Sequence, residues 1–317
     1  MFADIMATDP SENLSFSWPI KTLLWLGVPL LFASLYAASP LTAALSCPVL
    51  LVPGILLWHA SRFENSTVGH LKTLIWTFFG SATIGLAAVL GLQAVLCQIL
   101  ARVLFGHAHA QDYFEEIARN TFQDLSHGEK HRRAEMASKW QYFAFLLIFT
   151  FVMAGFLEEC MKYIAISLAR RSRRSPVASS HYFHYAVAAT LGFSTLENIG
   201  FIYASRQESI SMLVLVVLER TIIGTPAHAL TGAMLAAGMI RRDLHGHAIS
   251  MWSILQAPTL YHGSFDFALF AVSAANGNVG WRHPDTPGSI ALTLGLALGI
   301  IAVAATQLRL NLRRLGV

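Results

Sequence analysis

The chain has little charge. Only 13% of its 317 residues are Asp, Glu, Lys or Arg, against 55% hydrophobic residues, where soluble domains carry roughly 25% charged residues. A net charge of +4 with no basic-aromatic stripe gives nucleic acid nothing to bind. The three cysteines, Cys47, Cys97 and Cys160, sit in or beside apolar runs and form no CxxC pair, which excludes a disulfide framework or a thiol-ligated zinc ribbon. The first 17 residues carry Asp4, Asp9 and Glu12 and no basic residue, so they lack the positive start of a secretory signal. There is no internal repeat, no low-complexity tract and no HExxH motif.

Present instead are long apolar runs. A stretch of about 20 residues rising 1.5 Å each crosses the hydrocarbon core. Spans are predicted near 18–37, 41–60, 73–96, 141–168, 183–204, 210–240, 251–275 and 289–308. The fold class is all-α: a polytopic membrane helix bundle of about eight transmembrane helices. Ser39-Pro40 makes the first two spans a hairpin or broken pair. The basic segments Arg170–Arg174, Arg241-Arg242 and Arg309–Arg314 fall on one side and assign it, with both termini, to the cytoplasm. The Asn65-Ser66-Thr67 triplet reads as a glycosylation sequon and points the other way. The chain divides into a polar tail (1–17), N-terminal transmembrane helices (18–105), an extracytoplasmic amphipathic loop (106–138) and a membrane core with a C-terminal helix (139–317). Apolar positions at Tyr113, Phe114, Ile117, Phe122 and Leu125 make that loop an amphipathic helix on the membrane surface or a solvated connector.

Ionisable residues inside apolar spans are costly and mark function by default. Four groups occur on four consecutive spans at similar depth: Glu158-Glu159-Cys160-Met161-Lys162, Phe193 to Glu197-Asn198, His228 to Gly232, and His262 to Asp266. Lys162 lies one helical turn from both Glu158 and Glu159 and can pair with either. Asp266, four residues after His262, can orient its imidazole. Thr225-Pro226 predicts a helix start inside the membrane, with N–H groups aimed at the site. Arg220 is expected to snorkel or to pair with Glu219 or Glu208.

In order and on successive helices, these groups resemble the EExxK, FxxxEN, HxxxG and HxxxD motifs of the PrsW-type intramembrane protease family, related to the CAAX- and bacteriocin-processing membrane proteases. The resemblance covers roughly residues 139–275. It implies hydrolysis of a peptide bond within or beside the membrane, with a membrane-anchored protein or peptide as substrate, and a bacterial inner membrane as location.

Amide hydrolysis needs an activated water, a stabilised oxyanion and a proton for the leaving amine. On this reading Glu158 or Glu159 is the general base, and the other pairs with Lys162. His228, His262 and Glu197 are the candidate metal ligands, with Asp266 as a fourth or as an outer partner. Two histidines and a carboxylate suit zinc. Asn198 is an oxyanion or substrate donor, or an interhelical hydrogen bond. A metal-free glutamate–histidine mechanism uses the same residues. A proton-coupled transporter and a non-catalytic membrane scaffold remain as other classes, and geometry separates them: a protease needs its groups around one water-sized space, a transporter along a path.

Overall fold

The computed structural model describes residues 18–62, 68–119, 125–172, 178–207, 209–284 and 286–315. The polar tail 1–17, the Asn65 triplet, Arg173, Arg174, Phe122 and Glu208 lie outside the described residues. The described residues are helical, with no strand among them. Ten helices follow in order: α1 Trp18–Ala38, α2 Pro40–His59 and α3 His70–Phe105; α4 His107–Ile117 and α5 His127–Ser138; α6 Trp140–Arg171; α7 Ser179–Ala204; α8 Ile210–Asp243; α9 Met251–Ala275; and α10 Pro287–Leu315.

Helices occupy all eight positions at which spans are predicted. Six of them, α1, α2, α3, α6, α8 and α10, are long and apolar enough to cross a membrane. With these six apolar helices the chain is an integral membrane protein. The other two, α7 and α9, have 26 and 25 residues, or nearly 40 Å of helix at about 1.5 Å per residue. Their lower apolarity has a structural cause. In α7 every side chain from Ala188 to Thr195 is buried. A helix enclosed on all sides meets protein rather than lipid, so it tolerates polar residues that α1 could not. At the opposite extreme, α1 exposes Trp25, Leu30 and Tyr36.

Close crossings at glycine bring the site-bearing helices together. A Cβ on Gly155 of α6 would stand 2.9 Å from the Thr259 carbonyl of α9, and one on Gly263 would stand 2.6 Å from the Phe151 ring. Gly232, the glycine of the His228 motif, presses against Thr190 of α7, and a Cβ there would overlap the threonine methyl. That glycine is thus a packing residue, setting the α7–α8 distance.

Two helices widen just before their site residues. Phe149–Phe156 in α6 and Arg220–Gly224 in α8 wind as π-helix, a form that recurs at functional sites. The second corrects the expected helix start at Thr225-Pro226. Gly224 and Thr225 keep helical backbone angles, and the Thr225 N–H bonds to the Arg220 carbonyl. Pro226 lacks an N–H and crowds the preceding turn; the wider winding absorbs this without opening the helix.

The loop region also takes a definite shape. In place of one amphipathic helix there are two, α4 and α5, joined by residues 118–126. A capping box between Ser126 and Glu129 starts α5. Between the two helices Glu116 and Arg133 are buried as an ion pair. Arg133 also donates to the Val279 carbonyl at 2.8 Å, and Gly280 N–H donates to the Tyr142 hydroxyl at 2.7 Å. The helix pair is therefore fastened to the segment after α9, which is itself tied to the start of α6.

Candidate active site in the membrane core

The site forms where α6, α7, α8 and α9 meet, with α3 closing one side. Glu158, Glu159 and Lys162 come from α6, Glu197 and Asn198 from α7, His228 and Thr231 from α8, His262 and Asp266 from α9. Glu159 and Lys162 are fully buried, and Glu158, His228 and His262 nearly so.

Glu159 is the hub. Its Oε1 accepts from Lys162 Nζ at 2.6 Å, from Thr231 Oγ1 at 3.0 Å and from the His262 Nδ1 side at 2.8 Å. Lys162 Nζ also reaches His228 Nδ1 at 2.9 Å and stands 5.6 Å from the centre of the Phe193 ring. Both imidazoles are thus gripped at Nδ1 by the Glu159–Lys162 pair, which turns both Nε2 atoms outward. Facing them are carboxylates: Glu197 Oε2 lies 2.9 Å from His228 Nε2, while Glu158 Oε2 and Asp266 Oδ2 lie 3.6 and 3.4 Å from His262 Nε2. The imidazole rings are 5.2 Å apart and nearly perpendicular.

These outward atoms open on one cavity of about 440 Å³. Glu158, Glu197, His228, His262 and Asp266 line it, and so does Gln93 of α3. Glu159, Lys162 and Asn198 do not. The two adjacent glutamates therefore differ: Glu158 faces open space, and Glu159 is walled in by donors. Glu158 Oε2 and Glu159 Oε2 are buried without a hydrogen-bond partner. One ligand atom each from Glu158, His228 and His262 lies within 4.8 Å of the others. This donor set, two imidazoles and a carboxylate with an unpartnered oxygen, fits a metal ion.

Asn198 donates from Nδ2 to Thr225 Oγ1 at 3.2 Å and to the Arg220 carbonyl at 3.4 Å. It fastens α7 to the π-helical turn of α8 beside Glu197. Arg220 does not pair with Glu219. Its guanidinium stacks 3.4 Å from the centre of the Phe201 ring, and Glu219 meets His283 at 3.1 Å.

Two side chains have no role in the sequence reading. Gln93 Nε2 donates to the Met153 carbonyl at 2.9 Å, inside the widened turn of α6, and to Glu158 Oε1 at 3.3 Å. Thr231 holds Glu159. The available signal for Gln93 was a lone amide in the apolar run of α3, which in lipid seeks an interhelical partner.

A family model described as PrsW family intramembrane metalloprotease matches residues 125–304. Among curated proteins, the chain is 27% identical over 128 residues to a protein named Protease PrsW from Clostridioides difficile (strain 630), covering 39% of this chain and 52% of that protein. It is 29% identical over 129 residues to the Protease PrsW of Bacillus subtilis (strain 168), covering 39% and 55%. A third protein of that name, from Shouchella clausii (strain KSM-K16), is 27% identical over 121 residues. The chain spans about half the length of the curated relatives it matches. No solved structure matches.

Proposed function

The chain belongs to the PrsW family of intramembrane metalloproteases, and from that premise we propose that it hydrolyses a peptide bond of a membrane-anchored protein or peptide at Glu158, His228 and His262, with zinc as the metal, in a bacterial inner membrane. The observation that carries this reading is the convergence of these three side chains on one cavity. A proton path for a transporter would string them along the bundle instead. The intact set of donors also speaks against a scaffold that has lost its chemistry.

His228 and His262 would hold the ion through the Nε2 atoms that face the cavity, with the carboxylate of Glu197 or Asp266 beside them completing the set. When bound there, zinc lowers the pKa of a water and polarises the scissile carbonyl. Glu158 has the spare oxygen and the open face for proton work: it takes the proton of the attacking water and returns it to the leaving amine. Gln93 orients that carboxylate through Oε1. Glu159 is a positioning residue. By accepting from His262 Nδ1 it keeps the proton there and leaves Nε2 with its lone pair, the usual support for a ligating imidazole. Glu197 and Asp266 add negative charge at the cavity wall beside the two Nε2 atoms and suit a water or a substrate amide. Asn198 sets the position of Glu197.

One observation favours a second, metal-free reading. A Lys162 ammonium on His228 Nδ1 requires the lone pair there and puts the ring proton on Nε2. In that tautomer His228 donates into the cavity and suits an oxyanion, while Glu158 activates the water unaided.

Metal analysis separates the two. Purified wild type is compared with the His228→Ala/His262→Ala variant by mass spectrometry, alongside cleavage of a membrane-anchored reporter. Zinc lost from the variant together with cleavage supports the metalloprotease. Active wild type with the same metal content as the variant leaves only the glutamate–histidine mechanism.

A further inference from the structure

A second histidine group sits at the other end of α7, well away from the candidate active site. His70 opens α3, and His181 and His184 lie one turn apart in the first turns of α7. His184 precedes Glu197 by 13 residues, which along a helix is about 20 Å. His70 is buried, 1% exposed, and the other two are half-buried.

Two of the three, His70 and His184, have the spacing of metal ligands. His70 Nε2 and His184 Nδ1 stand 3.2 Å apart. Two nitrogens bound tetrahedrally to zinc at 2.0–2.1 Å are separated by about 3.3–3.4 Å, and their ring centres by about 5 Å. The ring centres of His70 and His184 are 5.3 Å apart, and those of His70 and His181 are 4.7 Å apart. The pair His228 and His262 shows 5.2 Å. His181 is farther from His184, at 6.5 Å. Its Nδ1 accepts from the Ala178 N–H at 3.2 Å, so that atom already bears the lone pair that a metal takes.

We propose that His70, His181 and His184 form a second metal site for a divalent transition cation of the zinc class. Imidazole nitrogens suit zinc, copper and nickel and not the hard cations calcium and magnesium. The ion displaces the proton between His70 and His184, and His181 turns from the Ala178 amide to complete the set. Bound there, the cation clamps the start of α3 to the start of α7. Those two helices carry Gln93 and Glu197, and they are already in close contact where Gly192 meets the Phe78 backbone. The site is structural, not catalytic.

The test is zinc stoichiometry of the full chain in detergent after dialysis against zinc-free buffer. Three proteins are compared: wild type, His181→Ala/His184→Ala, and His228→Ala/His262→Ala. The expected result is one zinc fewer in the His181/His184 variant than in wild type, with reporter cleavage retained and zinc protection against thermal unfolding reduced. His181→Gln/His184→Gln serves if the alanine variant elutes as aggregate. The His228/His262 variant keeps the zinc that the other variant loses. That holds even if the candidate active site takes no metal, so failure of one site is separable from failure of the other. Equal zinc in wild type and the His181/His184 variants overturns the proposal and makes the cluster a proton-sharing hydrogen bond only. Zinc that leaves all three proteins on dialysis overturns it as well.

Discussion

Among the described residues, the buried charges between α4 and α5 and those around Glu159 differ in one respect. Between α4 and α5, Glu116 accepts from Arg119 Nε at 3.1 Å, from Arg119 Nη2 at 3.0 Å and from Arg133, so both of its oxygens are used. Burial pushes the Glu116 carboxyl up, but hydrogen bonds from Arg119 and Arg133 outweigh it and leave it below its ordinary value. Around Glu159, by contrast, the Oε2 atom of the neighbouring Glu158 is buried without a hydrogen-bond partner, beside a cavity of about 440 Å³. Burial of charge is common to both. Spare acceptor capacity next to open space belongs to one, and that is what chemistry on a third party requires.

Substitutions test the contrast. Glu158→Gln keeps shape and removes the proposed base; cleavage of a membrane-anchored reporter is expected to fall about 10²–10⁴-fold while elution from gel filtration is unchanged. Cleavage within twofold of wild type would remove Glu158 from the chemistry. Glu159→Gln leaves the cavity wall intact and loosens both imidazoles, with an expected loss of about 10–100-fold, the scale of outer partners at metal sites. Because it also strands Lys162 in the interior, it costs about 3–5 kcal/mol of stability, read as a lower melting temperature. Gln93→Ala leaves Glu158 in place without its orienting amide; a loss of about tenfold in turnover, with the bundle still folded, distinguishes an orienting role from a lipid-facing one.

Glu116→Gln sharpens the comparison from the other side. Cleavage is expected to stay unchanged, yet stability drops by about 3–5 kcal/mol because Arg133 is left buried without its counter-charge. The acid dependence follows from the lowered carboxyl of Glu116. Its contribution is complete above the ordinary value of 4.5 and is lost as the pH falls through the depressed one. Wild type therefore loses melting temperature on acidification below that value, and the Glu116→Gln variant shows a flatter profile. An identical slope in both proteins would detach the latch from this carboxylate.

Much of the candidate site was legible because helices impose short periods. Spacings of three and four residues put Glu159 with Lys162 and His262 with Asp266 on common faces, and both pairs are within 4 Å in the structure. Which of Glu158 and Glu159 faces the cavity and which pairs with Lys162 was not legible. Adjacent residues on one helix face different neighbours, and only the donors on α8 and α9 enclose one of them. Gln93 was hidden for a related reason: it lies 65 residues before its partner Glu158, and no local period connects them. The expected helix start at Pro226 followed local rules correctly, yet the tertiary structure chose a wider turn, in which Thr225 and Asn198 share the Arg220 carbonyl.

By itself the sequence determined the class of molecule, the positions of its long helices and the residue types available for hydrolysis. Apolar run length and helical period are properties of the chain alone, and lipid leaves the backbone few alternatives. Only the tertiary structure decided which carboxylates face the cavity, which nitrogen of each imidazole is free, and that α7 is enclosed by protein. Those outcomes depend on helix rotation and depth, which the close glycine crossings between neighbouring helices set and no stretch of sequence encodes alone.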